Sequence, residues 1–221
     1  MGGKITLITG PILSGKTAEL LRHVQLGETQ SLSTIIVRHT SDNDPKNLNV
    51  AKSLGLKTKT VHCERLGELS IKLYIVHSQV IFIDKGELFD DLAEFCCYHA
   101  DKRKQIFVAG LKCSPTRTYY KPIIDLFPHC DEIIWLNSMC QSCLNKASFY
   151  TRCIKFDENS QYVETYKTQC RACLRRWIKI KIKLVLFLQK ELHKLPSTYK
   201  RVLLFTLKEE KKPFIIPSPP T

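Results

Sequence analysis

Two spacings in this chain can do chemistry. The first is "GPILSGKT", comprising Gly10, Pro11, Ile12, Leu13, Ser14, Gly15, Lys16 and Thr17, which has the form G-x4-G-K-[ST]. Glycines in such a loop let backbone N–H groups wrap phosphate oxygens, and the N-terminus of a following helix favours their negative charge. The lysine reaches the β and γ oxygens, and the threonine hydroxyl can ligate magnesium. The second is a pair of C-x2-C knuckles, Cys140 with Cys143 and Cys170 with Cys173, separated by 26 residues. Each knuckle puts two thiolates on one tight turn, and two knuckles together make the tetrahedral sulfur cage that zinc prefers. A closed four-thiolate cage leaves no position for substrate, so the metal is expected to hold a loop rather than to react. The other six cysteines show no ligand spacing, and most of them read as core thiols.

The elements around the loop are those it needs. An apolar run, Ile5 to Ile8, leads into it, and "AELLRHVQL" after it has helical apolar spacing, so the unit reads as strand, loop, helix. Further strands are legible in residues 34–39, 80–84, 105–111 and 132–138, interleaved with helix-like stretches such as 89–100. Apolar runs buried on both faces and alternating with helices predict an α/β fold built on a mostly parallel sheet, with a small zinc-binding module after it. Asp84 stands at the end of one such strand, where a carboxylate can hold magnesium through water; a helix N-cap or a loop aspartate is the other reading.

Composition bounds the partners. The 221 residues carry a formal net charge of +13, but residues 174–221 hold 12 Lys and Arg against 3 Asp and Glu, leaving only +4 for the first 173. The basicity is mainly a property of the tail, which argues against the body of the chain being a nucleic-acid-binding surface. No stretch approaches the roughly 18 apolar residues of a membrane span, and the N-terminus lacks a secretory signal, so a cytoplasmic chain with no membrane partner is expected. Ten cysteines in such a chain point to metal binding and buried thiols rather than disulfides.

Taken together, "GPILSGKT", "IDKGELFDD" and "YKTQCRACL" resemble the zinc-containing thymidine kinases of cells and large DNA viruses, and the similarity extends over residues 4–173. The resemblance implies transfer of the γ-phosphoryl group of ATP to the 5′-hydroxyl of thymidine or a related deoxynucleoside, with magnesium as cofactor, a structural zinc and a homotetramer. It divides the chain into a P-loop kinase domain at 1–138, a zinc-binding lasso at 139–174 and a tail at 175–221. It places Gly10 to Thr17 on the triphosphate, Asp84 on magnesium and the four cysteines on zinc. Phe89 and Tyr166 occupy the family's aromatic positions at the nucleoside, where core packing is an equal reading.

Several residues depart from the family pattern around the substrate. The glutamate that accepts the hydroxyl proton is replaced by Lys85, which is no base while protonated. Glu87, two residues on, reads either as a relocated base or as a surface carboxylate. The family's D-x-R becomes Asp42-Asn43-Asp44, its L-D-G-T-F becomes "LKCSP" with Lys112 in place of the acid, and the glycine pair before Tyr166 is absent. Impaired catalysis is therefore expected beside an intact loop, with a regulatory or scaffolding ATP-binding protein as the alternative. After Cys173, "WIKIKIKLVLFL" alternates apolar and basic residues and reads as a strand or a partner-binding edge, and residues 208–221 read as disordered.

Overall fold

Six short apolar runs form one sheet: β1 (Lys4–Gly10), β2 (Thr34–His39), β3 (Lys59–Cys63), β4 (Val80–Ile83), β5 (Gln105–Leu111) and β6 (Glu132–Trp135). Their order is β3-β2-β4-β5-β1-β6, and every neighbouring pair is parallel. The computed structural model describes residues 2–42, 55–156 and 162–191. Asn43, Asp44 and residues 208–221 lie outside them.

The sheet is buried on both faces, which is why its strands read as continuous apolar runs. On one face α1 (Lys16–Thr29) lays Leu20, Leu21 and Val24 against Ile8, Ile36 and Phe82. After the single turn α2 (Leu73–Val76), α3 (Leu92–Asp101) and α4 (Lys121–Leu126) cover the other face, packing Leu92, Phe95, Ile123 and Leu126 against Leu7, Val37, Ile83 and Val108. Alternate residues of one strand thus serve opposite layers, as Phe82 does between Ile81 and Ile83. Each such fully buried side chain contributes about 1.5–3 kcal/mol of transfer free energy. The strand β3 was not legible in the sequence, because it is an edge strand with only Cys63 buried.

The chain divides into two units, one of residues 1–114 with 118–139, the other of residues 115–117 with those from 140 onward. The first closes with the short β7 (Ser138–Met139). The second contains β8 (Lys146–Ala147), an antiparallel pair β9 (Phe149–Phe156) and β10 (Tyr162–Gln169), and a long helix α5 (Arg171–Glu191).

That helix corrects the reading of Trp177 to Leu188 as a strand. The Leu174 N–H donates to the Cys170 carbonyl at 2.9 Å, so the second knuckle itself opens the helix, and Leu, Lys and Arg propagate it. Period-two alternation also places Ile178 and Ile182 four residues apart, a helical neighbour relationship, so the pattern suits both structures. Among the described residues, no helix is long and apolar enough to cross a membrane.

Candidate active site and metal centre

The loop at the end of β1 is shaped by its glycines. Gly15 has a left-handed φ of 84°, which a side chain would strain, and α1 starts at the next residue. Gly10 runs against the backbone at Leu136; a Cβ there would come within 2.4 Å of that carbonyl oxygen. Lys16 Nζ donates to the Pro11 carbonyl at 2.7 Å, folding the ammonium over its own loop. Ser14 Oγ is buried with no hydrogen-bond partner among the described residues, which leaves a hydroxyl able to meet an oxygen ligand.

The carboxylate expected beside this loop is there. Asp84 follows β4, is 1% exposed, and accepts from Thr17 Oγ1 at 3.0 Å and from the Lys85 N–H at 3.1 Å, both on Oδ1. Among the described residues its Oδ2 has no hydrogen bond, and the Arg38 guanidinium lies 3.5 Å from it. Burial raises the Asp84 pKa, while Arg38 and the Thr17 hydroxyl oppose that rise. Spacing gave no hint of Arg38. It ends an apolar run and is 3% exposed, and the signal available in the sequence was a charge directly after Ile35, Ile36 and Val37 within the strand. The β2–β4 register pairs Val37 with Ile83, so the next residues, Arg38 and Asp84, emerge side by side.

Lys85 has a left-handed φ of 54° and sends its ammonium to Asp42, the residue just before the undescribed segment, in an ion pair. The Asp42 side chain is 2% exposed and that of Lys85 33%. The turn brings Glu87 back over the sheet, where its Oε2 accepts from the Leu111 N–H at 3.0 Å. Burial raises the Glu87 pKa, with the Leu111 donor and the charge of Lys16 opposing it. Burial likewise lowers Lys16 to about 8, against the pull of Glu87 and Asp84. Lys16, Thr17, Asp84 and Glu87 therefore share one electrostatic environment at the C-terminal ends of β1 and β4, and Glu87 is a half-buried member of it.

Phe89 has no solvent exposure and meets the His39 ring edge-on at 5.1 Å. Tyr166 lies on β10 in the second unit, half-buried, with its ring 5.7 Å from that of Tyr150. Lys112 follows β5, and its N–H donates to the Gly10 carbonyl at 3.3 Å.

The knuckles converge. The four sulfurs of Cys140, Cys143, Cys170 and Cys173 lie within 4.8 Å of one another, with 3.6 Å between Cys143 and Cys170. Four sulfurs at about 2.3 Å from a tetrahedral zinc stand roughly 3.8 Å apart, so the set fits that ion. Burial pushes the Cys140 thiol up, but backbone donors at Cys170, Ser142 and Cys143 outweigh it and bring it down to about 6, while Cys173, sharing hydrogen bonds with Cys143 and Cys170, rises to about 12. All ten cysteines are free thiols, and of the six without ligand spacing Cys63 and Cys96 are fully buried.

A glycine loop between β1 and α1, an acidic strand end hydrogen-bonded to its threonine and a separate four-thiol cluster define a P-loop nucleotide-binding protein with a metal-binding module. A family model described as thymidine kinase matches residues 3–174. The chain belongs to the thymidine kinase family. It is 31% identical over 179 residues to the thymidine kinase of Raccoon poxvirus, covering 78% of this chain and 97% of that one. Against the thymidine kinase of Amsacta moorei entomopoxvirus the identity is 33% over 178 residues, covering 76% and 96%. Against the cytosolic thymidine kinase of Gallus gallus it is 29% over 184 residues, covering 77% and 76%.

Proposed function

We propose that this protein phosphorylates thymidine or a close deoxynucleoside at the 5′-hydroxyl with ATP, in the cytoplasm and as a homo-oligomer. One observation in particular supports this beside family membership: Thr17, Asp84, Lys16 and Glu87 are gathered around one phosphate-binding loop. Residues Gly10 to Thr17 hold the triphosphate, with Lys16 leaving the Pro11 carbonyl for the β and γ oxygens. Thr17 and Asp84 are the residues that would hold magnesium, which would supply positive charge to offset that of the triphosphate. Glu87 receives the proton of the attacking hydroxyl; burial raises its pKa, which makes it a stronger base than an exposed glutamate. Phe89, which has no exposed surface, acts behind the site through its contact with His39, and Tyr166 of the zinc module at 139–174 is the aromatic group offered to the nucleoside. The four cysteines carry a structural zinc that fixes the two knuckles.

Assay of phosphate transfer from ATP to thymidine, deoxyuridine, deoxycytidine and the purine deoxynucleosides tests this reading, with thymidine expected as best acceptor. Absence of transfer to every nucleoside, with ATP bound, would instead establish a second reading, a nucleotide-binding relative of weak catalysis. The observation favouring that second reading is the Lys85–Asp42 pair, which puts a fixed cation where a base belongs.

A further inference from the structure

At the N-terminal ends of the central strands, the edge of the sheet opposite the glycine loop, lies a group of charges that the kinase reading does not use. Val80 and Gln105 open β4 and β5 and are register partners, and an open cavity of about 430 Å³ lies against them. The C-terminal end of β5 pairs with Gly10, so the seven residues of β5, at about 3.3 Å per step, set the cavity roughly 20 Å from the loop. Lys102, Arg103 and Lys104 line it with His77, and among the described residues that line it none is acidic. Leu32, Val76 and Val80 give it an apolar wall.

Lys104 is only 8% exposed. Its ammonium donates to the carbonyls of Val76 and Ser78 at 2.8 and 2.5 Å, which uses two of its three N–H donors, and among the described residues no carboxylate pairs with it. Burying an ammonium without a counterion is costly, and carbonyl dipoles offset that cost only in part. The positive field is unopposed: burial and then the charge of Lys102 lower Lys104, and burial followed by the charges of Lys104 and Lys102 brings the neighbouring His99 down to about 4. Lys102 rests on the hydroxyl and ring of Tyr98 rather than on an acid. Arg103, exposed, holds a left-handed φ of 62° just after α3, a position where glycine is ordinary, and its guanidinium meets no partner among the described residues.

We propose that this cavity binds the phosphate group of a small organic phosphate, at a site separate from the P-loop. A phosphate dianion supplies the counter-charge that Lys104 lacks and can accept from the guanidinium fork of Arg103. The apolar wall leaves room for an organic body, and the volume is that of an ordinary small-molecule site. A nucleic-acid strand asks for cations spread along a track, whereas these three converge on one concavity.

The test titrates the full chain, and its Lys16→Ala variant, with ribose 5-phosphate and with inorganic phosphate, followed by calorimetry and by amide NMR shifts. We expect saturable binding of ribose 5-phosphate with a Kd of about 1 mM or tighter, shifts at the amides of Ser78, Gln79 and Gln105, and the same binding after Lys16→Ala. Inorganic phosphate should shift the same amides with affinity about tenfold weaker, since it leaves the apolar wall uncovered. Lys102→Gln/Arg103→Gln, which changes two exposed side chains, should weaken binding about tenfold or more with unchanged thermal melting. Lys104→Met should abolish it. Equal affinity for the two probes would overturn the organic ligand in favour of the free ion. Binding lost with Lys16→Ala would assign the phosphate to the P-loop, and binding kept in full by the Lys102/Arg103 variant, or no binding of either probe, would leave Lys104 as a cap on two carbonyls only; each of these overturns the proposal.

Discussion

The ammonium of Lys85 is paired with Asp42, whereas the backbone N–H of the same residue donates to Asp84. Asp42 and Asp84 are thus served by different cations, Asp42 by Lys85 and Asp84 by Arg38. Lys85→Met should remove the ion-pair partner of a nearly inaccessible carboxylate and cost about 1–3 kcal/mol, the low end for a buried pair because Lys85 is one-third exposed. Adding Asp42→Asn should recover most of that loss. Chemical denaturation of the two single variants and the double variant measures the coupling, and strictly additive losses would dismiss the pair as a stabilising unit.

The same geometry bears on restoring a carboxylate at position 85. Lys85→Glu alone would put an acid beside Asp42 and Asp84 and remove the cation that pairs with Asp42. A rise in thymidine phosphorylation is expected from Lys85→Glu combined with Asp42→Asn, and a smaller one or none from Lys85→Glu alone. Steady-state rates of the three proteins decide it.

Glu87→Gln should reduce kcat by about 10²- to 10⁴-fold while changing the KM for ATP little. The glutamine carbonyl can still accept from the Leu111 N–H, so the turn should survive and melting should be unchanged. Because burial raises the Glu87 pKa, the base form is lost at a higher pH than for an exposed glutamate, and the rate should fall as pH drops through that raised value. Loss of this acidic limb in the variant, measured as a pH–rate profile, is the signature; an unaltered limb would assign the proton acceptor elsewhere.

Lys16 sits at about 8 before nucleotide binds, so a substantial fraction is neutral at pH 8. Triphosphate oxygens favour the ammonium, and binding should therefore take up protons near that pH. Calorimetry in two buffers of different ionisation enthalpy should show the uptake, and Lys16→Ala should abolish it and weaken affinity. A buffer-independent heat would mean that Lys16 does not meet the phosphates.

Purification without chelators should yield one zinc per chain, and Cys140→Ser/Cys170→Ser should remove it by breaking one ligand from each knuckle. Metal analysis of both proteins measures this. Zinc retained at full occupancy by the variant would place the ion at another site.

What the sequence determined by itself was whatever depends on short-range spacing. The glycine loop between Ile8 and the helix at Lys16, the two knuckles, and the apolar runs at 34–39 and 105–111 are local patterns whose geometry follows from neighbouring residues. Tertiary structure alone decided which distant residues share a charge. Arg38 meets Asp84 because β2 and β4 pair in one register, and a slip of one residue would turn the pairing to the opposite face. Lys85 finds Asp42 and Glu87 finds the Leu111 N–H because of a left-handed turn after β4, and that backbone choice leaves no mark in residue types when the residue is not glycine. The tail was decided in the same way. An alternating stretch becomes a strand only beside a partner with free backbone groups, and where Cys170 already offers its carbonyl to Leu174, the helix satisfies those groups within the chain itself.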